Sequence, residues 1–279
     1  MAYPTVSAPY GLKPINLIGG QVFAGSTRNI PIASGYATAI GYGDVVQFGT
    51  VANRGCVIAT AIVYNTAAYI PGTVGVFLGC SYTSPLTGQK LFAQQYPAGG
   101  VVANDIVAIV ADDPDTIYKA VTVANNGTNV STTQVNLGQA FVGTNLFFVK
   151  NSVNGTTGNS TAGLSAGASD VITTGTAPFR IVDIVPDTAN TLTQTATTAT
   201  STAMTLTAAN AAITAGMSVI GSGVPTGTYV TAVSGTAVTL SQATTSTLST
   251  ATAFTFTGAT EVLVKFNFGY HAYYAAAGV

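Results

Sequence analysis

The sequence predicts an all-β protein: a β-sandwich or barrel-like main domain with a small inserted β-module. Three observations carry this reading. Short runs rich in β-branched and aromatic residues recur along the chain, each bounded by Gly, Asn, Asp or Pro. Turn dipeptides separate them, at Pro71-Gly72, Asn126-Gly127, Asn154-Gly155 and Ser234-Gly235. No long segment repeats its apolar residues at the helical period of 3.6.

The elements follow in order. VGVFLGCSY (74–82) reads as a strand, and AIVADD (108–113) as a strand running into a turn. NLFFVKN (145–151) and RIVDIVPD (180–187) read as further strands, and VLVKFNFGYHAYY (262–274) as a long aromatic C-terminal strand. That last strand, left uncovered, would be an aggregation-prone edge, and donation to a neighbouring subunit is one way to cover it. NSVNGTTGNSTAGLSAGASD (151–170) reads as a Gly/Ser/Thr-rich loop. The best helical candidate is the short TAANAAITAGM (207–217), which Gly216 would cap.

Charge defines the domain organisation. No Asp, Glu, Lys or Arg lies between Thr188 and Thr260, a block of 73 residues. It opens on the low-complexity run TANTLTQTATTATST and then becomes patterned, with strands at AMTLT and ATAFTFTG and a hairpin at Ser234-Gly235. The expectation is a main β domain of residues 1–190 plus 259–279 with a Thr/Ala-rich module, 191–258, inserted into it. RIVDIVPD and VLVKF would be neighbouring strands, and the module would occupy the loop between them, where insertions are tolerated.

Composition narrows the function. Charged residues make up 6% of the chain and the net charge is −1, against about 25% charged in typical soluble domains. Such a chain has no basic excess to neutralise phosphates, so nucleic acid is not an expected partner. Mean hydropathy is +0.45, but Thr, Ser, Asn and Gly interrupt every apolar run before the ~20 residues a spanning helix needs. The N-terminal MAYPTVSAPYGLKP lacks the basic start and apolar core of a secretory signal, so neither secretion nor a membrane location is expected. A charge-poor surface suits a subunit that buries much of itself against neighbours, since buried charge is costly.

Candidate chemistry is sparse. Gly163-Leu164-Ser165-Ala166-Gly167 matches the G-x-S-x-G nucleophile elbow, with Asp170, Asp183 or Asp187 and His271 following in hydrolase order. The elbow needs a strand before its Ser and a helix after it, and no α/β alternation surrounds this one. His271 is the single histidine, too few for a zinc site, and reads as structural or interfacial. Gly221-Ser222-Gly223-Val224-Pro225-Thr226-Gly227 lacks the Lys-Ser/Thr of a phosphate loop and reads as a turn. Cys56 and Cys80 read as small core residues rather than a disulfide framework. Asp112, Asp113 and Asp115 place three of the nine acids within four positions around Pro114; they read as a turn or polar contact, without the spacing or Gly of a calcium loop. No catalytic, cofactor-binding or metal residue is assigned, and no cofactor is expected.

Four stretches together, residues 10–46, 74–99, 109–121 and 261–279, resemble a family of tailed-bacteriophage virion proteins. The resemblance implies a head structural protein of the decoration or cement type. Its expected partners are the major capsid protein and copies of itself, a homotrimer suiting local three-fold positions of the shell, and its expected location is the virion, assembled in the bacterial cytoplasm. The inserted block resembles small β-modules of phage and bacterial surface proteins. Two other roles are weighed: a tail or fibre protein binding host glycan, and the major capsid protein itself, which would carry a long spine helix not visible here. An enzyme is not expected.

Overall fold

The computed structural model describes residues 6, 8–49, 52, 54–59, 72–125, 130–166, 177–247 and 251–274. The protein is all-β, and no α-helix occurs among the described residues. Strands are numbered in chain order. The first part of the chain holds β1 (Lys13–Leu17), β2 (Arg28–Pro31), β3 (Val45–Phe48), β4 (Val57–Ala59), β5 (Thr73–Thr83), β6 (Lys90–Ala93) and β7 (Val107–Ala111). β8 (Thr116–Asn125), β9 (Val130–Gln134), β10 (Asn145–Val149), β11 (Gly163–Ser165) and β12 (Phe179–Ile184) follow. The chain ends with β13 (Ala189–Thr200), β14 (Ala203–Leu206), β15 (Ser218–Ile220), β16 (Val230–Ser234), β17 (Ala237–Leu240), β18 (Thr252–Ala259) and β19 (Glu261–Phe266).

They make three sheets. The first runs β1-β8-β11-β10-β12-β19, and an added β8–β19 pairing closes β8, β11, β10, β12 and β19 into a five-stranded barrel. β12 and β19 pair antiparallel, as the sequence reading expects of RIVDIVPD and VLVKF. Barrel interiors fill with side chains, and here Tyr118, Phe148, Phe179 and Phe266 do so, with the Phe179 and Phe266 rings 4.7 Å apart. Each fully buried ring of this kind contributes roughly 2–3 kcal/mol.

The second sheet runs β2-β7-β5-β3-β4, with β6 added to the far half of β5. β5 is buried along most of its length because both faces of the sheet are covered. One face sends Val45, Val76 and Ala111 into the barrel core, while Val46, Phe77, Val110 and Tyr96 belong to a separate cluster on the other. Gly75 permits close approach of β5 to its neighbour β7 in the same sheet: a Cβ there would overlap the Ala111 carbonyl.

The third sheet draws every strand from residues 189–259, in the order β15-β18-β13-β14-β17-β16. A Ser218–Tyr229 bridge joins its two ends, so this sheet also closes on itself. β14 and β17 alternate exposed and buried residues, the period of a half-buried strand. The inward residues, among them Met204, Met217, Val238, Phe254 and Phe256, form a core distinct from the other two. Threonines line the outside, where Thr191 and Thr193 lie opposite Thr257 and Thr255.

Three expectations need correction. TAANAAITAGM is not a helix; the Asn210 side chain accepts from the Ala212 N–H at 3.1 Å and Gly216 takes φ +97°, which makes successive turns. The predicted 151–170 loop contains β11, whose three residues are all buried in the barrel wall; neighbours on both sides override a weak local propensity. The C-terminal strand stops at Phe266. Asn267 turns inward to bond Asn145 and the Ala177 carbonyl, and Gly269 takes φ +90°. β19 has partners on both sides, β12 and β8, so it completes this molecule's own barrel and has no free edge to donate.

Candidate functional site

The third sheet grows from a two-stranded root. β12 leads through a 3-10 turn, Pro186–Thr188, into β13, and β18 returns through Thr260 to β19. β13 and β18 pair without a break from Ala189–Ala259 to Ala196–Thr252. A segment of the barrel side braces this root. Leu137 and Ala259 exchange backbone bonds of 2.8 Å, the Gly138 N–H donates to the Gly216 carbonyl at 2.7 Å, and Phe141 packs edge-on against Tyr229. Gly138 is required by contact: a Cβ there would overlap the Ser218 hydroxyl and lie 2.7 Å from the Ser218 nitrogen.

Beside that brace lies a groove of about 670 Å³. Residues 138–140, Ile184, residues 218–220, residues 224–228 and Thr257 line it. The GSGVPTG segment is thus a turn at the groove mouth; the Thr228 hydroxyl donates to the Pro225 carbonyl at 2.6 Å. The lining offers aliphatic carbon, backbone groups, hydroxyls and the Gln139 carboxamide, with no titratable side chain and no aromatic ring. Such a groove can hold an uncharged chain or surface. It supplies neither a general acid or base nor a ring for a sugar to stack on.

The three clustered aspartates lie where the chain crosses from the second sheet to the barrel, between β7 and β8. Each does a separate task. Asp112 pairs with Arg28 at 2.8 Å and accepts from the Tyr273 hydroxyl, Asp113 accepts from the Asp115 N–H at 2.9 Å, and Asp115 pairs with Lys265 at 3.1 Å. The carboxylates serve different cations and donors, and no cluster of metal-ligating side chains occurs among the described residues. The segment fastens the first two sheets and the C-terminal turn together.

His271 sits in that turn and is fully buried. Its backbone bridges to Thr73 of β5, and its ring lies among Phe266, Tyr273 and Tyr274. Burial pushes its pKa down to about 4, so it is neutral at physiological pH. Ser165 is fully buried in β11, and the Ala166 N–H after it continues strand-like to the Val123 carbonyl. A serine without solvent access in a barrel wall is no nucleophile elbow. Asp183 and Asp187 are exposed, while Asp170 and Gly167 lie outside the described residues. Cys80 is buried, and burial raises its thiol to about 11; Cys56 is half-buried.

Sequence reasoning missed two buried acids. Asp44 accepts from the Gly41 N–H at 2.8 Å and the Ser160 hydroxyl at 2.6 Å, and burial raises its pKa. Glu261 accepts from Tyr10 and pairs with Lys119 at 3.3 Å. Their hydroxyl donors, Ser160 and Tyr10, lie 116 and 251 positions away in sequence, which no local pattern marks.

Comparison with known proteins returns no matching family model, no matching curated protein and no matching solved structure.

Proposed function

We propose that this chain is a virion structural protein, a decoration or cement subunit that binds the major capsid shell of a tailed phage together with copies of itself. The observation that carries an assembly role is the exterior. Leu86, Phe268, Phe92 and Val22 are 94%, 84%, 80% and 79% exposed on a molecule with very little charge. Apolar side chains this exposed on so charge-poor a surface fit an assembly role, in which a partner takes them out of water. The finer assignment rests on the resemblance of residues 10–46, 74–99, 109–121 and 261–279 to phage head proteins. In this reading residues 191–258 are an inserted module, projecting from the shell on the β13–β18 root. The aromatic-free groove favours this role over a glycan-binding fibre.

Cryo-electron microscopy of the intact particle tests the proposal. Density for this chain on the outer shell, touching two or more capsid subunits, is the expected result. Density confined to the tail would transfer the role to host binding. Density forming the continuous shell would make the chain the capsid subunit itself.

A further inference from the structure

We infer that a hollow on the second sheet, lined by Tyr42, Phe92 and Gln94, binds an uncharged saccharide whose sugar ring stacks on Phe92. The inference stands on the side chains of this hollow and goes beyond the capsid reading.

The hollow measures about 450 Å³, within the ~300–1,000 Å³ span of small-molecule pockets. It lies where β5 is irregular. The pairing of β5 with β7 slips register between Phe77 and Gly79, and such bulges bend a strand and re-aim its side chains. Leu78 and Ile109 give the hollow apolar lining, and Gly79 adds no side chain to fill it. Phe92 of β6 also lines it while remaining 80% exposed, and Tyr42 is half-buried.

Its polar groups come from three distant segments held together by backbone bonds. The Tyr42 N–H donates to the Gly158 carbonyl and the Ser160 N–H to the Tyr42 carbonyl, both at 2.9 Å, so Tyr42 and Asn159 form a parallel bridge. That bridge sets the Asn159 side chain beside Gln94, whose Nε2 donates to the Asn159 Oδ1 at 2.6 Å. A carboxamide carries one acceptor oxygen and two donor hydrogens. Among the described residues no other bond takes up the Gln94 Oε1 or the Asn159 Nδ2. The locked pair therefore presents an acceptor and a donor side by side, which is what two neighbouring sugar hydroxyls need.

The lining selects the ligand. No Asp, Glu, Lys, Arg or His lines the hollow, so nothing there offsets the desolvation of a charged molecule. An exposed ring next to a fixed donor and acceptor suits a molecule with an apolar face and a hydroxylated rim. A β-linked glucose-type sugar has that shape: its hydroxyls lie around the ring edge and its C–H groups cover both faces. Stacking takes Phe92 out of water, and the pre-set amide pair lowers the ordering cost of binding. The groove beside the third sheet has no ring and does not share this property.

The test titrates the full chain with cellotriose and with chitotriose, followed by saturation-transfer NMR on the sugar C–H protons. Binding of at least one of them in the millimolar range is expected. Phe92→Ala is expected to weaken it about ten-fold, the scale of one lost aromatic contact, and Gln94→Ala about ten-fold, the scale of a lost hydrogen-bonding group. Both side chains are exposed, so circular dichroism should be unchanged in either variant. Val102→Ala, at an exposed apolar position outside the hollow, is expected to bind as wild type does. Failure of both sugars to bind, binding that survives Phe92→Ala and Gln94→Ala, or an equal loss in Val102→Ala would overturn the inference. Phe92-dependent binding of N-acetylphenylalaninamide with neither sugar bound would overturn it too, and would give the hollow to an apolar side chain of a protein partner. Saccharide binding and attachment to a shell are separate properties, so none of these outcomes bears on whether the protein decorates one.

Discussion

Acidification from pH 7.5 to pH 4 is expected to remove about 3 kcal/mol of stability through one residue, His271. The imidazole is fully buried, and burial holds its pKa at about 4 against the ordinary 6.5. Hydrogen bonding to the Val74 backbone, the charge of Asp113 and the Asp112 backbone act the other way, and Arg28 adds to the depression. The unfolded chain takes up the proton near pH 6.5, the folded one only near pH 4. Between those values the unfolded state binds more protons, so stability is full above pH 6.5 and falls as the pH drops toward 4. A shift from 6.5 to about 4, at 1.36 kcal/mol for each pH step, amounts to about 3 kcal/mol. That is a large share of the 5–15 kcal/mol typical of a whole domain. The chain has 13 Tyr and no Trp, so urea unfolding followed by tyrosine fluorescence and circular dichroism at several pH values reads the effect. His271→Gln supplies the comparison. Two carboxylates also titrate at the acid end. Asp105, held below its usual range chiefly by its hydrogen bond from Lys90, loses its contribution only as the pH falls through and below 3.8. Asp44, raised by burial, works in the opposite direction. Both remain in the variant, so they cancel in the difference. Parallel stability curves for the two proteins between pH 6.5 and 4 would refute the reasoning.

Other expectations follow from packing. Gly138→Ala puts a methyl group against Ser218 at the brace of the third sheet and should destabilise by about 1–3 kcal/mol, with proteolysis near residues 136–141 as a sensitive readout. Phe254→Ala opens a cavity in the third core and should cost about 3–5 kcal/mol in chemical unfolding. Asp105→Asn removes an exposed pair with Lys90 and should leave the unfolding midpoint at pH 7 essentially unchanged. Cys80, buried and with its thiol raised to about 11, should react with a thiol reagent only after denaturation, whereas half-buried Cys56 reacts in the native protein.

Strands with a strong local pattern were legible in the sequence. TVGVFLGCSYT, NLFFV and FRIVDI are dense in β-branched and aromatic residues, and each is a strand because its composition suits a covered sheet. The hairpin turning at Gly235 was legible because a positive φ of 60° there needs glycine. β11 was not legible: Gly-Leu-Ser has little strand propensity, and only β8 and β10 on its flanks make it one. The halt at Phe266 was hidden too, since FNFGYHAYY continues the aromatic pattern while Asn267 finds its partners 122 and 90 positions away.

The sequence by itself determined the all-β class, the positions of the strongly patterned strands and the scarcity of charge, because these depend on local preference and composition. Only the tertiary structure decided what those elements do. Closure of two sheets, the brace at Gly138, the groove beside it and the burial of His271 all come from contacts between distant segments. The clustered aspartates show the difference most plainly. Their spacing predicts a turn, but their partners are Arg28, Lys265 and Tyr273, so the turn is also the fastening between sheets. A carboxylate's neighbours are set by where the chain returns, and no local pattern encodes that.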